Sequence, residues 1–243
     1  MTADRILILG ATGGVGAALA RRVAARGARP VLFARDAVRL GELATTLPGA
    51  ESTVVDVTDA AGLNAAILAL GAPLAGLAFC VGSILLKPLS RISEAELLEA
   101  FSLNAVAAAL AVQAAMPALV EGKGSVVLFS SVAARVGFTN HLVVAAAKAA
   151  VEGMVVAMAA ELAPAVRVNC IAPSLTRTRM AEPLTKSPAM AEGIAKLHPL
   201  PRLGEAEDIA AMADMLLSPA SGWITGQVIA VDGGRSTVHV KAS

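Results

Sequence analysis

The chain has 243 residues, with 20 Lys and Arg against 19 Asp and Glu, a formal net charge of +1 and a hydrophobic fraction of 56%. That length holds one large α/β domain with a full core better than it holds two. A near-neutral balance without long basic runs excludes the clustered Lys and Arg of a nucleic-acid surface.

The chain contains two cysteines, Cys80 and Cys170, without CxxC spacing. They support neither a zinc site nor a disulfide framework, and a reducing cytoplasm is the expected compartment. The first residues run directly into Arg5-Ile6-Leu7-Ile8-Leu9, which predicts no signal peptide. The longest apolar stretches are broken by Gly, Asn, Gln or Pro, so no membrane span is expected.

The first predicted strand, 6–9, leads into Gly10-Ala11-Thr12-Gly13-Gly14-Val15-Gly16 and a helix over 15–27. Glycines between a strand and a helix permit a tight turn, and the helix N-terminus then offers free N–H groups to a pyrophosphate. An ordinary strand-to-helix turn would show glycine too. A second strand, 30–34, ends on Phe33-Ala34-Arg35-Asp36. Ala34 removes the carboxylate that would take a ribose diol, and the Arg35 guanidinium can clamp a phosphate, which favours NADP(H) with NAD(H) as the other option. The bland alternative is a solvated Arg35 partly neutralised by Asp36.

A helix over 37–46 and a strand over 52–55 follow, then Asp56-Val57. Asp56 and Val57 are placed to hold an adenine edge; alternatively Asp56 caps the helix predicted over 59–69. Strand 76–80 precedes a long helix over 94–119, strand 125–130 precedes a helix over 141–162, and strand 166–171 opens an irregular excursion over 172–204. A helix over 205–217 and a strand over 228–231 complete the chain. Seven apolar strands separated by helices predict a single-domain Rossmann fold over 1–243: a doubly wound parallel seven-stranded sheet with helices on both faces. Its ligand site lies beyond the C-terminal strand ends, and 178–200 is placed as a substrate lid.

With these motifs in order, the sequence resembles the short-chain dehydrogenase/reductase family over nearly its whole length. Gly10, Gly14 and Gly16 match its glycine pattern, with Thr12, Gly13 and Val15 between them, and Asp56 matches its adenine-contacting aspartate. Asn104, Ser131 and Lys148 match three of its four catalytic residues. Pro173, Thr176 and Thr178 match the stretch along the nicotinamide, and Trp223 to Gln227 with Val231-Asp232-Gly233-Gly234 resemble its C-terminal signature. Phe79-Cys80-Val81-Gly82 stands where the family has Asn-Asn-Ala-Gly, so Gly82 keeps the cofactor-side glycine; Ser174 replaces a usual glycine.

The family's tyrosine, four residues before its lysine, is Val144 here, and the chain contains no tyrosine at all. The resemblance implies hydride exchange between a nicotinamide and a carbonyl, a serine on the oxygen, a lysine on the ribose and an asparagine in a proton relay. It also implies a homotetramer or homodimer through the helices containing 104–119 and 141–162. Valine supplies no proton, and a positioned acid contributes about 10²–10⁴-fold. His141, at i, i+3, i+7 with positions 144 and 148, is the sequence's candidate replacement; otherwise it is a polar residue of the helix's first turn. Three readings follow. The first is an oxidoreductase acting on a small carbonyl, alcohol or imine through a non-tyrosine proton source. The second is a dinucleotide-binding sensor or partner subunit. The third is non-redox chemistry in the same pocket. No metal site is expected.

Overall fold

The structure is a computed structural model describing residues 4–71 and 73–239. Strands β1 (Arg5–Leu9), β2 (Arg29–Ala34), β3 (Glu51–Val54), β4 (Gly76–Phe79), β5 (Ser125–Phe129) and β6 (Arg167–Pro173) are joined in one sheet by the last strand of the chain, Val228–Val231. A two-residue ladder between β7 (Thr176–Arg177) and β8 (Gly204–Glu205) makes the last strand β9 in chain order. The sheet runs β3-β2-β1-β4-β5-β6-β9, and every neighbouring pair is parallel. This is the Rossmann arrangement the strand–helix alternation predicts.

The strands are apolar because both sheet faces are covered. Leu7, Leu9, Val31, Leu77, Val126 and Val168 face one core, against α3 (Ala60–Leu68), α5 (Ala107–Glu121) and α6 (Leu142–Leu162). Ile6, Ile8, Leu32, Ala78, Val127 and Ile171 face the other, against α1 (Gly14–Ala25), α2 (Ala37–Thr45) and α9 (Ala206–Leu217). Alanine lets these helices approach closely: Ala105, Ala108, Ala111 and Ala115 are fully or almost fully buried. Glu94–Glu121 and Leu142–Leu162 are each long and apolar enough to cross a bilayer, but here they are core helices packed on the sheet.

Two predicted elements change. The helix expected as one piece over 94–119 is α4 (Glu94–Phe101), a π-helical turn over Ser102–Val106, and α5. The excursion over 172–204 is not irregular throughout. β6 extends to Pro173, and α7 (Glu182–Thr185) and α8 (Pro188–Ala195) follow, the latter capped by Ser187 with Pro188 in its first turn.

The strand order reverses beside β1, whose C-terminal end opens between β2 and β4. Gly10 turns there with φ +77°, and a Cβ would press on the Cys80 backbone at 2.9 Å. At Gly16 a Cβ would sit 2.3 Å from the Gly10 carbonyl oxygen, so α1 can approach the turn only without a side chain. Gly41, inside α2, has open space. Gly16→Ala is therefore expected to lower stability in urea unfolding by about 1–3 kcal/mol, whereas Gly41→Ala raises it by roughly 0.8–1 kcal/mol. Equal effects at the two positions would contradict the packing of α1 on its turn.

Candidate active site

One end of the candidate site is the N-terminus of α1. Asp36, Asp59 and Ser93 cap α2, α3 and α4, and α9 has a capping box. α1 starts instead at Gly13 with no side-chain cap and no acidic residue in its first turn. Its first N–H groups and the positive end of its dipole are thus left for an external anion. Thr178 lies over this turn, since a Cβ on Gly14 would meet its methyl at 2.9 Å. Gly13 and Gly14 are exposed, and Val15 packs against the core of α1 and α9. The donor set fits a dinucleotide pyrophosphate.

At the ends of β2 and β3, Arg35 is exposed and lies 3.8 Å from Asp56. Asp56 accepts hydrogen bonds from the Thr58 backbone at 2.9 Å and its hydroxyl at 2.8 Å. Those bonds, aided by Arg35, hold its carboxyl below the usual range. The helix cap is Asp59, which accepts from Gly62 N–H, so Asp56 is not the cap. Val57 is buried in the core. Arg39, in the first turn of α2, donates to the Thr12 carbonyl and brings a second guanidinium to the glycine turn. Sequence reasoning missed it because its partner is in another βα unit.

The centre of the site gathers Gly82, Asn104 and Lys148. A Cβ on Gly82 would lie 2.8 Å from Asn104 Oδ1 and 3.0 Å from Lys148 Nζ. Asn104, 2% exposed, sits in the π-turn, donates to Ala100 O at 2.9 Å and Ser83 Oγ at 3.1 Å, and accepts from Ser83 N–H. A π-turn shifts the helix hydrogen-bond register, a distortion common at functional sites. Lys148 is buried on α6 and donates to Phe129 O at 2.9 Å. Among the described residues it has no carboxylate partner. Loss of solvation lowers its ammonium to about 8, opposed only by Cys170 and Cys80. The Cys80 thiol is itself pushed up to about 12 by burial, which suits packing rather than nucleophilic chemistry.

Ser131 follows β5 in extended backbone and accepts from Ala133 N–H at 3.2 Å. Ser130 Oγ, next to it, lies 2.9 Å from Glu152 Oε1 and 3.1 Å from Lys148 O, two acceptors for its single proton, and Glu152 holds Arg135 at 2.6 Å. This network ties the Ser131 loop to α6. Pro173 ends β6, and the buried Thr176 donates to Ser174 O at 3.0 Å.

Val144 is 5% exposed. His141 does not lie in the first turn of α6 but precedes it as the N-cap residue. Its Nδ1 is 2.7 Å from Thr139 O, and its ring packs on Phe138 with centroids 5.3 Å apart. It opens onto a cavity of about 450 Å³ shared with Ala145, Ala146 and Ala149; neither Val144 nor Lys148 lines it. The His141 carbonyl accepts the Ala145 N–H at 2.8 Å, so His141 sits at the very start of the α6 ladder. A second imidazole finds a partner no sequence spacing indicated: His198 Nε2 lies 2.8 Å from Ser174 Oγ. The only advance signal was Ser174 itself, a hydroxyl where the resemblance leads to glycine.

The sequence matches the Enoyl-(Acyl carrier protein) reductase family over residues 10–236. It is 34% identical over 237 residues to galactitol 2-dehydrogenase (L-tagatose-forming) of Cereibacter sphaeroides, covering 93% of this chain and 92% of that protein. A short-chain type dehydrogenase/reductase from Mycobacterium ulcerans superposes with a TM-score of 0.90 at 31% identity, covering 96% of this chain and 90% of that one. Gluconate 5-dehydrogenase from Burkholderia cenocepacia J2315, in complex with NADP and tartrate, superposes with a TM-score of 0.92 at 25% identity, covering 98% and 97%. The parallel sheet, the glycine turn and these likenesses agree: the chain belongs to the short-chain dehydrogenase/reductase family of oxidoreductases.

Proposed function

We propose that the protein is an NADP(H)-dependent oxidoreductase interconverting a secondary alcohol and a ketone on a small polyol or keto-sugar, with NAD(H) as the weaker cofactor. The observation that carries this reading is Lys148. An ammonium buried without a counter-carboxylate costs stability, and such a group is retained where a ligand uses it. The galactitol and gluconate dehydrogenases among its relatives support a polyhydroxylated substrate.

In this reading the turn from Gly10 through Thr12, Gly13, Gly14, Val15 and Gly16 holds the pyrophosphate. Arg35 and Arg39 take a 2′-phosphate, Asp56 and Val57 the adenine end, and Gly82, Asn104 and Lys148 the nicotinamide ribose. Pro173, Thr176 and Thr178 border the nicotinamide. When bound, the cofactor supplies reversible hydride transfer. Ser131 orients the substrate oxygen, the proton comes from a group other than tyrosine, and residues 178–200 close over the substrate as a lid. The enzyme is a cytoplasmic homodimer or homotetramer assembled through α5 and α6, whose exposed Met116, Val120 and Val156 support such a contact. Val144 favours a second reading, a dinucleotide-binding protein without turnover. Screening polyols, keto-sugars and imines for cofactor oxidation or reduction decides between them: turnover supports the first, and cofactor binding without turnover of any class supports the second.

Arg35→Ala is expected to weaken NADPH binding by about 1.5–3 kcal/mol, the worth of charge-assisted hydrogen bonds, and to leave NADH binding unchanged. Equal losses for both cofactors in parallel titrations would remove the 2′-phosphate assignment. Lys148 gives a stability prediction. Its folded-state value of about 8 lies below its ordinary value of 10.5, so the unfolded chain binds the proton more tightly. The resulting penalty is fully present below about pH 8 and fades as pH rises toward 10.5. Lys148→Met should therefore stabilise the protein by roughly 3 kcal/mol at neutral pH, with the gain shrinking in alkali. A variant less stable than wild type at pH ~7 contradicts the uncompensated burial.

A further inference from the structure

Ser131 leads into a single tight turn, Val132–Ala134, and its Oγ accepts from Ala133 N–H. Among the described residues no acceptor takes its proton, which leaves that proton for a ligand. So short a turn has few bonds of its own, and the direction of Ser131 depends on what holds the chain on either side. α6 provides those holds. Before Ser131, Lys148 Nζ donates to Phe129 O at 2.9 Å, and Ser130 Oγ lies 2.9 Å from Glu152 Oε1. After it, Arg135 Nε donates to Glu152 Oε2 at 2.6 Å. One carboxylate thus takes a group from each side of Ser131, with a different oxygen for each.

Glu152 is placed for this by helix geometry, since positions 148 and 152 are i, i+4 and share a face of α6. Its side chain is 11% exposed, against 60% for Arg135. It reaches the seam between β5 and β6. Burial pushes the Cys170 thiol up to about 12 and the Glu152 charge adds to the shift, and Cys170 is in register with Leu128. Stability alone is a weak reason for a carboxylate there. Apolar side chains of similar volume commonly replace a buried ion pair without loss, and a pair whose cation is mostly in water contributes little.

We propose that Glu152 is a positioning residue for Ser131: it grips the chain on both sides of that residue and so aims its hydroxyl at the substrate oxygen. The proposal rests on the oxidoreductase reading above, in which Ser131 orients that oxygen. Glu152 acts through Ser130 and Arg135 and touches neither substrate nor cofactor. The Phe129–Lys148 bond and the close approach of Gly82, Asn104 and Lys148 are made without it. Losing the grip therefore falls on turnover and spares NADPH binding.

The test measures kcat and KM for the best polyol of the screen above, with saturating NADP⁺. The proteins are wild type, Glu152→Met, Glu152→Gln, Ser130→Ala, Arg135→Met and Ser130→Ala/Glu152→Met. Rates are taken per NADPH-binding site, counted by calorimetric titration, so that unfolded chains do not enter. Glu152→Met should lower kcat about 10–10²-fold, the scale of a roughly 1 Å misplacement, with KM and NADPH affinity near wild type. Glu152→Gln keeps an acceptor for both partners and should recover most of the loss. Ser130→Ala and Arg135→Met should each lose several-fold. Ser130 lies on the path from Glu152, so the double variant should be no slower than Glu152→Met, whereas independent effects would multiply. The proposal is overturned if Glu152→Met keeps the wild-type kcat, if its loss appears in KM or NADPH affinity instead, or if the losses in the double variant multiply. Should Glu152→Met leave no folded fraction, Ser130→Ala and Arg135→Met decide, and a wild-type kcat in either overturns the proposal. A wild type that turns over nothing in the screen removes the oxidoreductase reading itself, and this role of Glu152 with it.

Discussion

Keeping one ammonium, Lys148, inside a helix–sheet interface without a counter-ion among the described residues is the constraint around which the site is organised. The side chain reaches the C-terminal edge of the sheet only because α6 lies flat on β5 and β6, and it is met there by a backbone carbonyl, Phe129 O. Gly82 supplies a neighbour with no Cβ, and the π-turn at Ser102–Val106 carries Asn104 to the same spot. None of these features improves packing. Together they leave a recess of hydrogen-bond donors and acceptors beside an uncapped helix N-terminus, which suits a ribose hydroxyl pair at the one place and a pyrophosphate at the other.

Against that recess, the absence of tyrosine becomes a local matter. Val144 is buried and apolar and has no proton to give. The imidazoles of His141 and His198 differ in what they touch. His141 packs on Phe138 and opens to a cavity that Val144 and Lys148 do not line. His198 is buried, fixed in one tautomer and bonded to a hydroxyl at the end of β6.

The sequence carried the sheet well because β1, β2, β4, β5 and β6 are buried on both faces and must be apolar throughout. Even β3, a more exposed edge strand of Glu51–Val54, was readable from its place between two helices. The glycine turn was equally plain, since only a residue without Cβ fits at Gly10 and Gly16. What escaped lacks a local signature. The π-turn alters hydrogen-bond register without altering composition. α7 and α8 are too short for apolar periodicity to show, and the prolines near them read as loop. The Arg39–Thr12 contact spans 27 residues and Ser174–His198 spans 24, distances over which spacing says nothing about proximity.

The central claim is that the Gly82–Asn104–Lys148 recess holds the nicotinamide ribose of a bound dinucleotide. A Cβ at position 82 would intrude to 2.8 Å of Asn104 and 3.0 Å of Lys148, so Gly82→Ala fills the recess while leaving the glycine turn and Arg35 intact. Calorimetric titration of NADPH onto wild type and Gly82→Ala, at one pH and salt, tests this most directly. The account predicts saturable binding at one site per wild-type chain and binding that is lost or strongly weakened in the variant. Equal binding by both proteins, or no saturable binding to wild type up to about 1 mM, would contradict it.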